Sequence, residues 1–190
     1  MTRTLKERSF SGTKNPEIQS WEIEHRKTAR RAAAEGIVLL KNEDHILPLK
    51  QGSSVAIYGA GAGKTIKGGT GSGDVNEREN VSVFQGMKNA GFHVTNEAWI
   101  ESYEKIYDKA RQDWKDDILS RTGEGADTMD FFAVYSTTPF VMPAGDPITK
   151  PADGENTDTA VYVLSRVAGE GADRNVDKGD YYLNDEEYQM

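Results

Sequence analysis

Two short apolar runs constrain this chain more than anything else in it. Val55-Ala56-Ile57-Tyr58 and the stretch holding Ala160, Val161, Val163 and Leu164 show no polar alternation, and both run on toward glycine-rich loops. Short apolar runs of this kind read as strands buried on both faces, the pattern of a parallel sheet. After the second run, Ser165-Arg166 leads into a loop in which Gly169 and Gly171 flank a single carboxylate, Glu170. Ligands in open α/β sheets bind beyond the carboxyl ends of the strands. Flanking glycines admit backbone conformations that other residues avoid, so Glu170 can be projected from a tight turn. Glu170 is therefore the candidate functional residue; the competing reading is a solvated turn residue on a loop.

The first run is followed by GAGAGKTIKGGTGSGDV, which invites a nucleotide-loop reading. A P-loop ending at Gly63-Lys64-Thr65 requires glycine at position 58, which is Tyr58. The dinucleotide fingerprint starting at Gly59 and Gly61 requires glycine at position 64, which is Lys64. A phosphate or nucleotide site at 59–65 is thus the minor alternative. The simpler account is a long glycine loop at the carboxyl edge of the sheet, free to wrap a neighbour or a ligand.

Along the chain, 1–14 reads as a flexible polar arm. Asn15 as N-cap and Pro16 at the first helical position predict a helix with Trp21, His25, Ala29, Ala32 and Ala33 on one face. Ile37–Leu40 and Ile46–Leu49 are short apolar runs around a polar turn. His25 and His45, with no partner at ligand spacing, read as structural or exposed. Ser82 and Gln85 form a capping-box pattern for a helix ending at Gly91, with a short strand over Phe92–Thr95. Trp99, Tyr103, Ile106, Tyr107, Ala110, Trp114 and Ile118 then mark the core stripe of a long helix.

Residues 120–158 read as loop-rich, with four of the six prolines and a candidate strand at Phe131–Tyr135. They also contain Gly123-Glu124-Gly125-Ala126-Asp127, a repeat of 169–173. This copy follows a charged helix end rather than an apolar run, so Glu124 reads as a solvated loop residue. Asp173 and Arg174 are expected to pair and hold the second copy. Asn184 with Glu187 is a further helix-start signature. With only six residues after it, the parallel sheet looks cut off in mid-domain.

Composition narrows the function. A net charge of −8 argues against a nucleic-acid partner, whose phosphates demand a basic face. There is no cysteine, so disulfides, thiolate metal sites and thiol nucleophiles are absent together. No stretch approaches the roughly 20 apolar residues of a membrane span, and the first residues lack the apolar core of a signal peptide. A cytoplasmic protein with no membrane partner, no cofactor and no metal ion is the expectation.

Three separated segments carry a family likeness: AAEGIVLLKNEDHILPL (33–49), KGGTGSGDV (67–75) and SRVAGEGADR…KGDYYLNDEE (165–187). In this order they resemble glycoside hydrolase family 3, and more narrowly the α/β-sandwich second domain of its β-glucosidases. The likeness spans roughly 25–190 and is weakest at 120–158. It implies an α/β fold over 15–190, an incomplete α/β sandwich with a mainly parallel sheet flanked by helices. It also implies part of a retaining β-glycosidase acting on terminal β-glucosyl residues of a β-glucoside or short β-linked oligosaccharide. In that family a (β/α)8 barrel supplies the aspartate nucleophile from a Ser-Asp-Trp type segment, and the sandwich supplies the acid/base glutamate from the loop matching Gly169-Glu170-Gly171. No Ser-Asp-Trp segment occurs in this chain, and a barrel of about 250 residues does not fit its length. The likeness begins near Met1, so the expectation is a truncated, sandwich-first member, inactive alone and completed by a barrel domain. A stand-alone binding or interaction module is the alternative.

Overall fold

The computed structural model describes residues 16–69, 73, 79–123, 125–148, 157, 159–168 and 173–190. The chain divides into two compact units, Met1–Pro48 and Leu49–Met190. No described helix is long and apolar enough to cross a membrane.

In the first unit the helix α1 spans Ser20–Gly36. It begins later than the Asn15-Pro16 signal predicts, with Gln19 as the N-cap and Asn15 outside the described residues. The reason is local: Gln19 N donates to the Glu22 carboxylate at 2.7 Å, a helix-entry bond further along the chain. Of the predicted face, Trp21 and His25 meet edge-on, with ring centroids 5.4 Å apart. None of the described residues of this unit is buried, and Ile37–Leu40 lies outside any helix or strand. Beyond it, the Asn42 side chain brackets the turn at 43–45, accepting from Leu47 N and donating to Leu47 O.

The second unit is built on three parallel strands. β1 is Ser54–Tyr58, β2 is His93–Val94 and β3 is Thr159–Tyr162, in the order β2-β1-β3. Val55 pairs with Val94 on one side and Thr159 on the other, and Tyr58 pairs with Tyr162. As the middle strand, β1 buries Val55, Ala56, Ile57 and Tyr58 on both faces, as its unalternating sequence predicts. β3 departs from that expectation. It lies at the sheet's edge and alternates, with Ala160 and Tyr162 exposed and Thr159 and Val161 half-buried. The core joins Val55, Ile57, Ala62, Val94 and Ile100, with Phe84, Met87, Phe92 and Val163 packed around it.

Between β1 and β2, helix α2 (Val83–Asn89) starts at Ser82, whose hydroxyl accepts from Gln85 N at 3.1 Å. The reciprocal half of the predicted capping box is not made; the Gln85 side chain donates from Nε2 to Asn89 Oδ1 at 2.7 Å. α2 ends in a Schellman motif: Gly91 N donates to Lys88 O and Phe92 N to Met87 O, with Gly91 at φ +86°. Helix α3 (Glu97–Thr122) buries Tyr103 and Ile118 of the predicted stripe, together with Ile100, which the stripe did not include.

The candidate strand at Phe131–Tyr135 is instead part of helix α4, Thr128–Thr137. Its cause was present in the sequence. Asp127 Oδ1 accepts from Met129 N and Asp130 N, and Asp130 returns a bond to Asp127 N, a closed capping box. Within this helix Phe131 and Tyr135 stack one turn apart, and Tyr135 meets Trp114 of α3. A last short helix, α5, covers Asp185–Gln189.

Candidate functional site

The carboxyl ends of β1 and β3 meet at glycine. Gly59 adopts φ +91°, and a Cβ there would lie 2.5 Å from the Val163 carbonyl oxygen. Two bonds stitch the ends together: Val163 N donates to Tyr58 O at 2.8 Å, and Gly61 N to Val163 O at 3.1 Å. A Cβ on Gly61 would sit 2.7 Å from a Val163 methyl. These glycines therefore serve the close approach of two chain segments.

The side chains that a phosphate site would use are engaged elsewhere. Lys64 Nζ pairs with Asp108 of α3 at 2.9 Å and lies over the Tyr107 ring. Thr65 donates its hydroxyl to Gly61 O at 2.6 Å and accepts from Val83 N at 2.9 Å, joining the glycine loop to the start of α2. Both are structural ties.

On the other side of the strand ends, residues 138–146 run back along α3. Trp114 Nε1 donates to Thr138 O at 2.7 Å, Tyr103 Oη to Pro143 O at 3.2 Å, and Trp99 Nε1 to Asp146 O at 2.9 Å. Gly145 lies against Trp99, where a Cβ would come within 2.4 Å of the indole. Burial pushes the Tyr103 phenol well above its ordinary pKa, and Tyr107 and Tyr162 add to the shift. The proline-rich segment is thus a strap over the core, and part of it faces the site.

A cavity of about 210 Å³ opens between this strap, the β1 and β3 ends and the C-terminal residues. Arg166 is among the residues that line it. Its Nη1 and Nη2 grip Glu187 in a two-point pair at 2.6 and 2.7 Å, with the side chains 18% and 13% exposed. Arg166 also donates from Nη1 to Ser165 O and from Nε to Asp180 O, at 2.9 and 2.8 Å. Glu187 does two jobs at once, because its Oε2 also accepts from Asn184 N as part of the α5 capping box. Burial raises its pKa, but the bonds from Arg166 and Asn184 outweigh it and hold the carboxyl below its ordinary value. Tyr162, whose hydroxyl donates to the Met190 sulfur, has its pKa raised by burial and by the Glu187 charge, against an opposing effect of Arg166.

Glu170, together with Gly169 and Gly171, lies outside the described residues, as does Glu124. Of the glycine loop, Gly68 and Gly73 touch backbone to backbone, while 70–72 and 74–78 are likewise outside. The residues bordering the Glu170 segment are described, and they correct one expectation. Arg174 pairs with Asp180, not with Asp173. Asp180 is the better partner because it also accepts from Asn175 N, and that bond and Arg174 hold its carboxyl below the usual range.

Several structural residues escape a reading of the sequence. Asn96, 3% exposed, accepts from Ile57 N and donates to Ile57 O, so its side chain continues the ladder where β2 stops. The Arg166–Glu187 pair spans 21 positions and has no local signal beyond the capping role of Glu187.

The family model for the glycosyl hydrolase family 3 C-terminal domain matches residues 37–189. β-Glucosidase A of Butyrivibrio fibrisolvens is 28% identical over 196 aligned positions, covering 87% of this chain and 20% of that protein. The β-glucosidase of Ruminococcus albus is 30% identical over 168, covering 86% and 16%. Among solved structures, β-glucosidase 3B of Thermotoga neapolitana in complex with α-D-glucose is similar in fold, with a TM-score of 0.62 at 35% identity. That likeness covers 87% of this chain and 21% of the other. The chain spans about a fifth of the length of these proteins or less.

Proposed function

Because the chain belongs to glycosyl hydrolase family 3 and matches its C-terminal domain, we propose that it is the acid/base-bearing part of a retaining β-glycosidase. In this reading Glu170 protonates the glycosidic oxygen of a terminal β-glucosyl residue and then activates the water that releases the sugar. A barrel domain supplies the aspartate nucleophile, so this chain alone is inactive. The substrate is a β-glucoside or short β-linked oligosaccharide, in keeping with the β-glucosidase names of the relatives.

One observation carries the reading. The chain leading toward Glu170 leaves β3 at its carboxyl end, and its described residues Ser165, Arg166 and Val167 line a cavity walled by both strand ends. A retaining mechanism needs two carboxyl groups about 5–5.5 Å apart, one attacking and one protonating. The acid must hold its proton near neutral pH, which burial or the charge of the neighbouring nucleophile provides. Domain closure over a loop-borne glutamate supplies both.

The test is Glu170→Gln in the complete enzyme. The specificity constant kcat/KM for cellobiose should fall about 10²–10⁴-fold, the range of a general acid. A 2,4-dinitrophenyl β-glucoside, whose leaving group needs little protonation, should lose far less. Full activity toward both substrates would refute the assignment.

A further inference from the structure

Residues 173–190 hold no part of the apolar core. None of them is buried, and none belongs to the cluster around Val55 and Ile57. What orders this stretch is polar. Arg174 and Asn175 N bond the Asp180 carboxylate, and Lys178 pairs with Asp185. Asp180 N and Tyr182 N both donate to Asp177 O, at 3.2 and 3.0 Å, and Asn184 and Glu187 close the cap of α5.

Among the described residues, the hydrogen bonds that join this stretch to the rest of its unit start from two side chains, Tyr162 and Arg166. Tyr162 Oη donates to the Met190 sulfur at 3.3 Å. Arg166 makes the stronger attachment, with Nε on the Asp180 carbonyl at 2.8 Å and its fork on the Glu187 carboxylate at 2.6 and 2.7 Å. Glu187 is therefore shared between the α5 cap and the attachment to Arg166. Removing its charge weakens both together, and a five-residue helix does not persist without such contacts. The ionisable groups around Glu187 are Arg166 and Tyr162 on the β3 side and Asp180, which shares Arg166 with it. The strap across the cavity, Phe140–Gly145, adds no ionisable side chain. Asp180, Asn184, Glu187 and Met190 supply one wall of that cavity.

We propose that residues 174–190 are an acid-released latch: protonation of Glu187 frees them from Arg166, they unravel as one unit while the sheet stays folded, and the cavity loses a wall. The latch is independent of the role of Glu170. Its direction with pH follows from the closed state, which holds the Glu187 carboxyl below its ordinary value of 4.5. Closure is complete above that value and weakens as the pH falls through the lower, closed-state one. The Asp180 carboxyl is also held low, by Asn175 N and Arg174, so acid loosens the turn in the same direction. Release disturbs no buried apolar contact, which is what allows a segment to open while its core persists.

Hydrogen exchange on the full chain, corrected for the intrinsic effect of pH, tests this. As the pH is lowered from about 7 to about 3, the opening equilibrium read at the Gly179, Tyr182, Tyr188 and Met190 amides should rise, by at most about tenfold per pH unit for each proton taken up. The amides of Val55–Tyr58 should stay protected over the same range. Glu187→Gln should open the same four amides at least about tenfold more at pH 7, again with β1 protected. If Glu187→Gln does not fold, Arg166→Lys, which keeps the charge and loses the fork, should show a smaller rise at the same amides. Loss of protection in β1 in step with the four amides would overturn the latch, because the event would then be global unfolding. Parent-like protection of those amides at pH 7 in the folded variant would overturn it as well.

Discussion

Gly59 marks the point where two strands pass too closely for any side chain. Its φ of +91° alone disfavours an L-residue, and a methyl group there would lie 2.5 Å from the Val163 carbonyl oxygen, with no room to relax. Gly59→Ala should therefore cost at least about 2 kcal/mol, read as a lower urea midpoint at unchanged slope. A midpoint within error of the parent would mean that the strand ends are not held together as described. Lys64 teaches the opposite lesson at the same scale. Its sequence surroundings suggest phosphate, yet its charge is taken by Asp108.

At the scale of elements, short pieces here are kept in place by side chains from elsewhere. β2 has only two residues, and Asn96 extends its edge by bonding both polar groups of Ile57. α5 has five residues, too few to persist alone, and is held through Glu187 to Arg166. The Glu187 carboxyl is held below its ordinary value of 4.5 in the folded chain. Its contribution to stability is thus complete above that value and is lost as the pH falls through the lower, folded one. The gap in thermal midpoint between the parent and Glu187→Gln should accordingly shrink between about pH 6 and about pH 3. A gap that stays constant over that range would show that the ionised pair does not hold the helix.

Among the described residues of the Leu49–Met190 unit, an apolar cluster joins β1 and β2 to the start of α3. Val55 and Ile57 are fully buried, and Ala62, Val94 and Ile100 close around them from three different segments. Ile57→Ala should cost about 2–5 kcal/mol, as buried large-to-small changes do. Against the usual total of about 5–15 kcal/mol, that is enough to unfold a large part of the population at modest denaturant. An unfolding curve shifted by less than about 1 kcal/mol would mean that the cluster is not the main support.

By itself the sequence determined whatever depends on near neighbours. An unalternating run made β1 a buried strand, Ser82 and Asn184 started helices, Gly91 ended one, and three separated motifs identified the family. The capping box that makes 128–137 a helix was equally local, since Asp127 and Asp130 are three positions apart; its aromatic run concealed it by resembling a strand. Tertiary structure decided what depends on distance. Whether β3 is buried on both faces turns on its place at the sheet edge, and whether Lys64 meets a phosphate or Asp108 turns on where α3 lies. The partner of Arg174 was settled in the same way, because adjacency in the chain does not bring two side chains together. Asp173 is next to it in sequence, but Asp180 sits on the turn that also receives Arg166, and there one carbonyl accepts both arginines.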